Sequence, residues 1–185
     1  MSELVRTIHE FAEMFDRLRI PYAIMGGWAV RLYGLPRPTY DIDFTITADR
    51  SRLGDLYEAV TQLGYTVPDQ FLAGWVDRVA DMPLVKFRLY VGGHGLDIDV
   101  FLAESPYQEE LMRRRRRHEF QGRQISFVTP EDLVLLKLIA ARPRDLGDID
   151  DVLLAKPDID EAYMRRWAEP LGVAEKLEEV LASRA

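Results

Sequence analysis

The sequence predicts an α/β (α+β) fold: a mixed four- or five-stranded sheet with helices packed on it and a helical C-terminal third. Three observations carry that prediction. Tyr22 to Met25 is a short apolar run that meets Gly26-Gly27 and then a helical segment, giving a strand, a glycine turn and a helix in succession. The stretch Tyr40 to Thr47 alternates polar and apolar residues with the period of two that marks a half-buried strand, and Leu96 to Val100 repeats the pattern. From Thr129 onward the chain changes to helix starts and helix-forming runs.

In chain order, Ser2 can cap a first helix whose apolar residues Leu4, Val5, Ile8, Phe11, Ala12, Phe15 and Leu18 share one face, and Pro21 closes it. The helix after the glycine pair runs from Trp28 to about Tyr33 and ends at Gly34 and Pro36. In the strand that follows, Ile42 and Phe44 enter the core, so Asp41 and Asp43 project together from the other face. Asp49 to Leu63 reads as an amphipathic helix stopped by Gly64, and Asp69 to Ala80 as another helix. Leu84 to Val91 and Leu96 to Leu102 flank Gly92-Gly93-His94-Gly95, the pattern of a hairpin. Pro106 to about Arg116 is helical, and Glu119 to Gln121 pairs with Gln124 to Val128 around Gly122-Arg123. Thr129-Pro130-Glu131-Asp132 combines a cap, a first-position proline and first-turn acids, and so starts a helix that reaches Ala141. Pro143 breaks it, and three more helices follow over Arg144 to Ala155, Ile159 to Ala168 and Ala174 to Ala182. Residues 1–128 form the expected core, and 129–185 a helical part packed on it as one unit.

Of the 185 residues 48% are hydrophobic and 30% charged, which excludes a disordered, collagen-like or solenoid chain. No apolar run approaches the roughly 20 residues of a membrane span. The first twenty residues mix acids and bases, unlike a secretory signal, so a cytoplasmic location without a membrane partner is expected. The absence of cysteine removes disulfides, thiolate catalysis and thiolate-bound metals, and His9, His94 and His118 have no ligand spacing. A net charge of -7 argues against a protein that coats nucleic acid nonspecifically. The five arginines Arg113, Arg114, Arg115, Arg116 and Arg117 still concentrate positive charge in one place. If helical, they point in every direction, and some pair with acids such as Glu109 or Glu110; the functional alternative is a phosphate-binding patch for RNA.

The chemistry centres on Asp41 and Asp43. Two carboxylates about 6.5 to 7 Å apart on one strand face can share Mg2+, a hard cation that takes carboxylate and phosphate oxygens. A pair of such ions can stabilise the attacking and leaving oxygens of an in-line phosphoryl displacement. Gly26 and Gly27 let backbone amides approach a triphosphate at a helix N-terminus. A third acid comes from Asp97 or Asp99, which share a face of the later strand; Asp99 is favoured as a metal ligand and as the base that takes the proton of an attacking hydroxyl. Arg37 can meet a phosphate bidentately, and Lys137 can neutralise one. Arg142, Arg144, Asp145 and Asp148 cluster at a helix junction, where a structural role for Asp145 and Asp148 as caps is equally open.

Together these residues resemble the DNA polymerase beta-like nucleotidyltransferases, with their G-[GS] turn, D-x-D strand and third Asp on a neighbouring strand. Within that superfamily the chain is similar to the bacterial AbiE-type nucleotidyltransferase toxins. The resemblance rests on Gly26-Gly27, Arg37-Pro38-Thr39-Tyr40-Asp41-Ile42-Asp43, Asp97-Ile98-Asp99-Val100-Phe101, Pro130 to Leu138 and Arg142 to Asp148, and runs from about Tyr22 to Leu154. It implies a magnesium-dependent enzyme, with Mn2+ as a substitute, that transfers a nucleotide from an NTP to an acceptor hydroxyl. Asp41, Asp43 and Asp99 become metal ligands and catalytic residues. Gly26, Gly27, Arg37, Thr39 and Lys137 become nucleotide-binding, and Asp97, Arg142, Asp145 and Asp148 secondary. The implied acceptor is RNA, such as a tRNA end, in a toxin-antitoxin or phage-defence setting with a cognate antitoxin. A small-molecule acceptor is the alternative, and a noncatalytic nucleotide- or partner-binding member is a third. Gly27 stands where family toxins often carry serine, which removes a hydroxyl that could bond a phosphate.

Overall fold

The computed structural model describes residues 2–91 and 94–183. Helix α1 (Glu3–Arg17) is capped by Ser2 and leads through Pro21 into β1 (Tyr22–Ile24). Helix α2 (Gly26–Tyr33) starts at the glycine pair itself, two residues earlier than expected, and β2 (Ile42–Ile46) follows. A short 3-10 turn and α3 (Leu53–Gln62) precede α4 (Asp69–Leu72), which is one turn long. Then come β3 (Asp77–Val79), β4 (Met82–Val91), β5 (His94–Leu102), α5 (Pro106–Arg114), β6 (Arg116–Phe120) and β7 (Arg123–Phe127). The C-terminal part is helical throughout: α6 (Pro130–Ala140), α7 (Pro143–Ala155), α8 (Glu161–Ala168) and α9 (Ala174–Ala182).

The class is the one expected, but among the described residues the sheet has seven strands, in the order β3-β4-β5-β2-β1-β7-β6. Much of the surplus lies at its edges. The stretch expected to be helical from Asp69 to Ala80 ends after one turn and returns as edge strand β3, which reverses into β4 through Ala80 and Asp81, both left-handed at φ 50° and 62°. Two consecutive positive φ angles make the tight turn whose twist suits a hairpin, and without Asn-Gly or Asp-Gly in that order it is invisible in the sequence. Edge strand β6 takes residues from the expected α5 helix, which stops at Arg114. The β4–β5 hairpin is as expected, but its Gly92-Gly93 connection lies outside the described residues.

The centre of the sheet positions the acids. Strand β2 runs antiparallel to β1 and parallel to β5, with Ile42 opposite Ile98, Asp43 opposite Asp99 and Phe44 opposite Val100. The alternation therefore buries the apolar residues of both strands under α1, where Phe11 stacks on Phe44 with ring centroids 5.6 Å apart, and turns both aspartates to the other face. On that face α2 packs against β2, with α6 and α7 packed against α2, and one continuous apolar cluster runs from Val5 to Leu181. Among the described residues no helix is long and apolar enough to cross a membrane.

Candidate active site

The turn between β1 and α2 is built against Asp43. The Met25 amide donates to the Asp43 carbonyl at 2.9 Å, and Gly26 is left-handed at φ 62°. A Cβ on Gly26 would lie 1.9 Å from Asp43 Oδ2, so only glycine lets the carboxylate sit against the first turn of α2. At Gly27 a Cβ would lie 2.4 Å from Thr39 Oγ1. The space that a serine side chain would use is thus filled by Thr39, a buried residue whose hydroxyl donates to Asp41 Oδ1 at 3.0 Å.

Asp41, Asp43 and Asp99 form a group with too little positive charge. Burial pushes the Asp43 carboxyl up to about 7, reinforced by the charges of Asp41 and Asp99 and only partly offset by Arg142 and Lys137. Burial also raises Asp99, against the pull of Lys86, whose ammonium lies 3.2 and 3.4 Å from its two carboxylate oxygens. Asp97 is different. It is half exposed and gripped by Arg88, with Nε donating at 2.5 Å and Nη2 at 2.9 Å, and those hydrogen bonds hold it below its ordinary value. Register and pairing both set Asp99, rather than Asp97, beside Asp43.

Next to this group lies a buried ionic network. Lys137 donates to Asp145 Oδ1 at 2.8 Å and to Asp148 Oδ2 at 2.5 Å, and its side chain is 4% exposed, where a lone lysine would ordinarily reach for solvent. Arg37 grips Asp148 with Nε at 2.6 Å and Nη2 at 2.7 Å, and Arg142 approaches Asp145 with Nε at 2.9 Å and its backbone amide at 3.0 Å. The charges of Lys137 and Arg37, expected to hold phosphates, are directed at these two aspartates. Burial alone would raise Asp145 and Asp148, but hydrogen bonds from Arg142 and Lys137 to the first, and from Arg37 and Lys137 to the second, bring both below the ordinary carboxylate range. The network ties the loop before β2 to α6 and α7. Its junction turns at Ala141, left-handed at φ 50°, and places Arg144 4.0 Å from Asp41.

The arginine run is not the single helical patch expected. Arg113 and Arg114 end α5, Arg115 leaves it, and Arg116 and Arg117 open β6. Arg113 pairs with Glu110. Arg114 turns inward to Glu131 at 3.1 Å, with its guanidinium 3.7 Å from the Tyr163 ring centre. Arg117 stands 3.9 Å from Asp16. A helix end inside the run divides it, and only Arg113, Arg116 and Arg117 are exposed.

Lys86 escaped the sequence reading, and Arg144, read there only as part of the helix-junction cluster, was not expected beside Asp41. The signal for Lys86 was present: a β4–β5 hairpin that pairs Val91 with His94 also pairs Lys86 with Asp99 and Arg88 with Asp97. Arg144 is brought to Asp41 by the junction between two helices, which no local pattern announces.

The chain is a nucleotidyltransferase by its family match, and its fold agrees with that class. The fold is similar to that of an antigenic nucleotidyltransferase-like protein from Paracoccidioides brasiliensis, at TM-score 0.56 and 22% identity over 84% of this chain and 76% of that one. It is similar to ANT(2'')-Ia in complex with adenylyl-2''-tobramycin, at TM-score 0.57 and 21% identity over the whole of both chains. It is also similar to the lincosamide antibiotic adenylyltransferase LnuA with lincomycin bound, at TM-score 0.52 and 16% identity over 82% of this chain and 96% of that one. Residues 13–180 match the family of AbiEii toxin nucleotidyl transferases of type IV toxin-antitoxin systems, and the chain belongs to that family. No curated protein matches the sequence.

Proposed function

We propose that the enzyme transfers a nucleoside monophosphate from an NTP to an acceptor hydroxyl, with Asp41, Asp43 and Asp99 as its metal ligands. The observation that carries this reading is the register of β2 and β5, which sets Asp43 beside Asp99 directly under the Gly26-Gly27 turn. As their side chains stand, no three acids or histidines among the described residues are gathered closely enough to hold an ion. The donor set nevertheless suits one: all its ligands are carboxylate oxygens, as Mg2+ or Mn2+ prefers, and Asp41 and Asp99 add negative charge beside the buried Asp43. Such an ion, when bound, would neutralise charge on the triphosphate and on the displaced oxygens.

The remaining work falls to the chain. The glycine turn offers backbone amides at the start of α2 for the triphosphate. Asp99 takes the proton of the acceptor hydroxyl, whose oxygen bonds to the α-phosphorus while the bond to the β-phosphate breaks and pyrophosphate leaves. Arg144, exposed beside Asp41, is placed to meet a phosphate oxygen. Asp145, Asp148, Lys137, Arg37 and Arg142 hold the wall of the site in place.

The acceptor we infer is an RNA end, in keeping with a toxin family and with the exposed Arg116 and Arg117 on edge strand β6. The inward turn of Arg114 and the pairing of Arg113 leave fewer cations for nucleic acid, which favours a small hydroxylated acceptor as the second reading. The purified protein incubated with Mg2+, each α-labelled NTP and total RNA tests both. Label moved to RNA, and lost in Asp41→Asn and Asp43→Asn, supports the first. NTP binding without labelled RNA supports the second, and neither label nor Mg2+-dependent NTP binding overturns the catalytic reading.

A further inference from the structure

Lys86 is a cation in contact with a proposed metal ligand. It sits on β4 directly opposite Asp99, and its ammonium bridges both carboxylate oxygens at 3.2 and 3.4 Å. Among the described residues Lys86 is the cation that touches Asp99, and without it the carboxylate would feel only the negative charges of Asp97 and Asp41. The neighbouring strand pair behaves differently: Arg88 grips Asp97 through a two-pronged guanidinium contact, which is geometrically specific and hard to exchange. A lysine contact is a point charge on a flexible stem, and it is the easier of the two to give up. Lys86 also has somewhere to go. Its side chain is 38% exposed and lines a cavity of about 440 Å³ between β4 and the Thr66 to Phe71 segment.

Resting on the proposed metal role of Asp99, we propose that Lys86 is a placeholder for the divalent ion. It neutralises Asp99 while the site is metal-free, and it withdraws into the adjoining cavity when the ion takes the carboxylate. The acidic group is thereby kept from repelling itself apart in the empty enzyme, at the cost of some metal affinity. Lys137, whose two carboxylate partners are buried and are not metal ligands in this reading, stays where it is.

The chain has four lysines, so selective 13C labelling of lysine gives four ε-methylene signals, and Lys86→Arg identifies that of residue 86. Titration with Mg2+ and a nonhydrolysable NTP should move the Lys86 signal toward that of a free lysine and leave Lys137 unmoved. Calorimetry with Mn2+ should show Lys86→Met binding about fivefold more tightly than the parent, the value of one half-exposed ion pair. Lys86→Arg should not show this gain. Ion binding with the Lys86 signal unmoved, or equal Mn2+ affinity in the parent and Lys86→Met, overturns the placeholder while leaving the metal site standing. Absence of ion binding in the parent and in Lys86→Met overturns both readings, and this is a different result.

Discussion

Two groups of aspartates lie side by side in this protein, and they are opposites. In the first, Asp41, Asp43 and Asp99 face one another with Lys86 and Arg144 at the margins, and the Asp43 carboxyl is pushed up to about 7. In the second, Asp145 and Asp148 are more deeply buried, yet three cations surround two carboxylates and both are held below the ordinary range. Burial raises a carboxylate in both places; the balance of partners decides the outcome. A group with missing cations is unfavourable for folding and suited to binding one, whereas a satisfied network is scaffold. The two aspartate groups should therefore respond to mutation in opposite directions.

The largest effect expected is on activity. Asp99→Asn removes the proposed base and Asp43→Asn the proposed central ligand, and each should lower nucleotide transfer by about 10²- to 10⁴-fold. Because Asp43 is repelled by Asp41 and Asp99, Asp43→Asn should leave the metal-free melting temperature unchanged or raise it by a few degrees. Calorimetric scanning beside a transfer assay measures both. A variant that lost activity by unfolding would show that the first group is scaffold as well.

The next effect is on stability. Lys137→Met leaves Asp145 and Asp148 buried with one cation fewer, and breaking a buried pair in this way costs about 3 to 5 kcal/mol. Urea denaturation should show that loss, while turnover per folded molecule and KM for the NTP stay near the parent values. A raised KM with stability intact would make Lys137 a phosphate ligand and erase the contrast between the two groups.

Acid adds a third distinction. A carboxylate lowered by folding contributes stability that is fully present above its unfolded value, near 3.9, and is lost as pH falls through its lower folded value. Asp145 and Asp148 are such groups, so stability should fall on acidification below about pH 4. Asp148→Asn should be less stable at neutral pH and show a flatter acid limb in denaturation followed from pH 5 to 2. An unchanged limb would mean that the network does not hold its charge in the folded protein.

How much of this was legible in the sequence depends on distance along the chain. The glycine turn, the D-x-D strand and the second acidic strand are local patterns, and periodicity alone placed Asp43 and Asp99 on strand faces, whereas Asp41, expected on the same strand, lies just before β2. Their meeting in register was supplied by family resemblance, since strand order is a property of the whole sheet. The network was half legible: Lys137 and Asp145 stood out as charged residues, but a lysine in an apolar helix gives no sign that two aspartates from the next helix will neutralise it in the core. The arginine run misled because charge says nothing of where a helix ends; the end at Arg114 follows from Arg114 packing on Tyr163, far away in sequence.

Thr39 offers the finest test of the contrast, because it links the glycine turn to the acidic group without being charged. Its hydroxyl donates to Asp41 Oδ1 at 3.0 Å and stands where a side chain on residue 27 would be. Thr39→Val keeps the shape and removes the donor, so the turn should stay folded while Asp41 loses the bond that orients it. One neutral hydrogen bond of this kind contributes about 0.5 to 1.5 kcal/mol, so transfer should fall by roughly two- to tenfold with little change in melting temperature. Gly27→Ser in the parent should be worse than in Thr39→Ala, because the shorter residue 39 vacates the space that the new side chain needs. If serine at 27 restores activity to Thr39→Ala, a hydroxyl at that spot is what the site requires, whichever residue carries it. If it does not, Thr39 acts through Asp41 alone, and the orientation of that carboxylate is a separate requirement from the charge the group gathers.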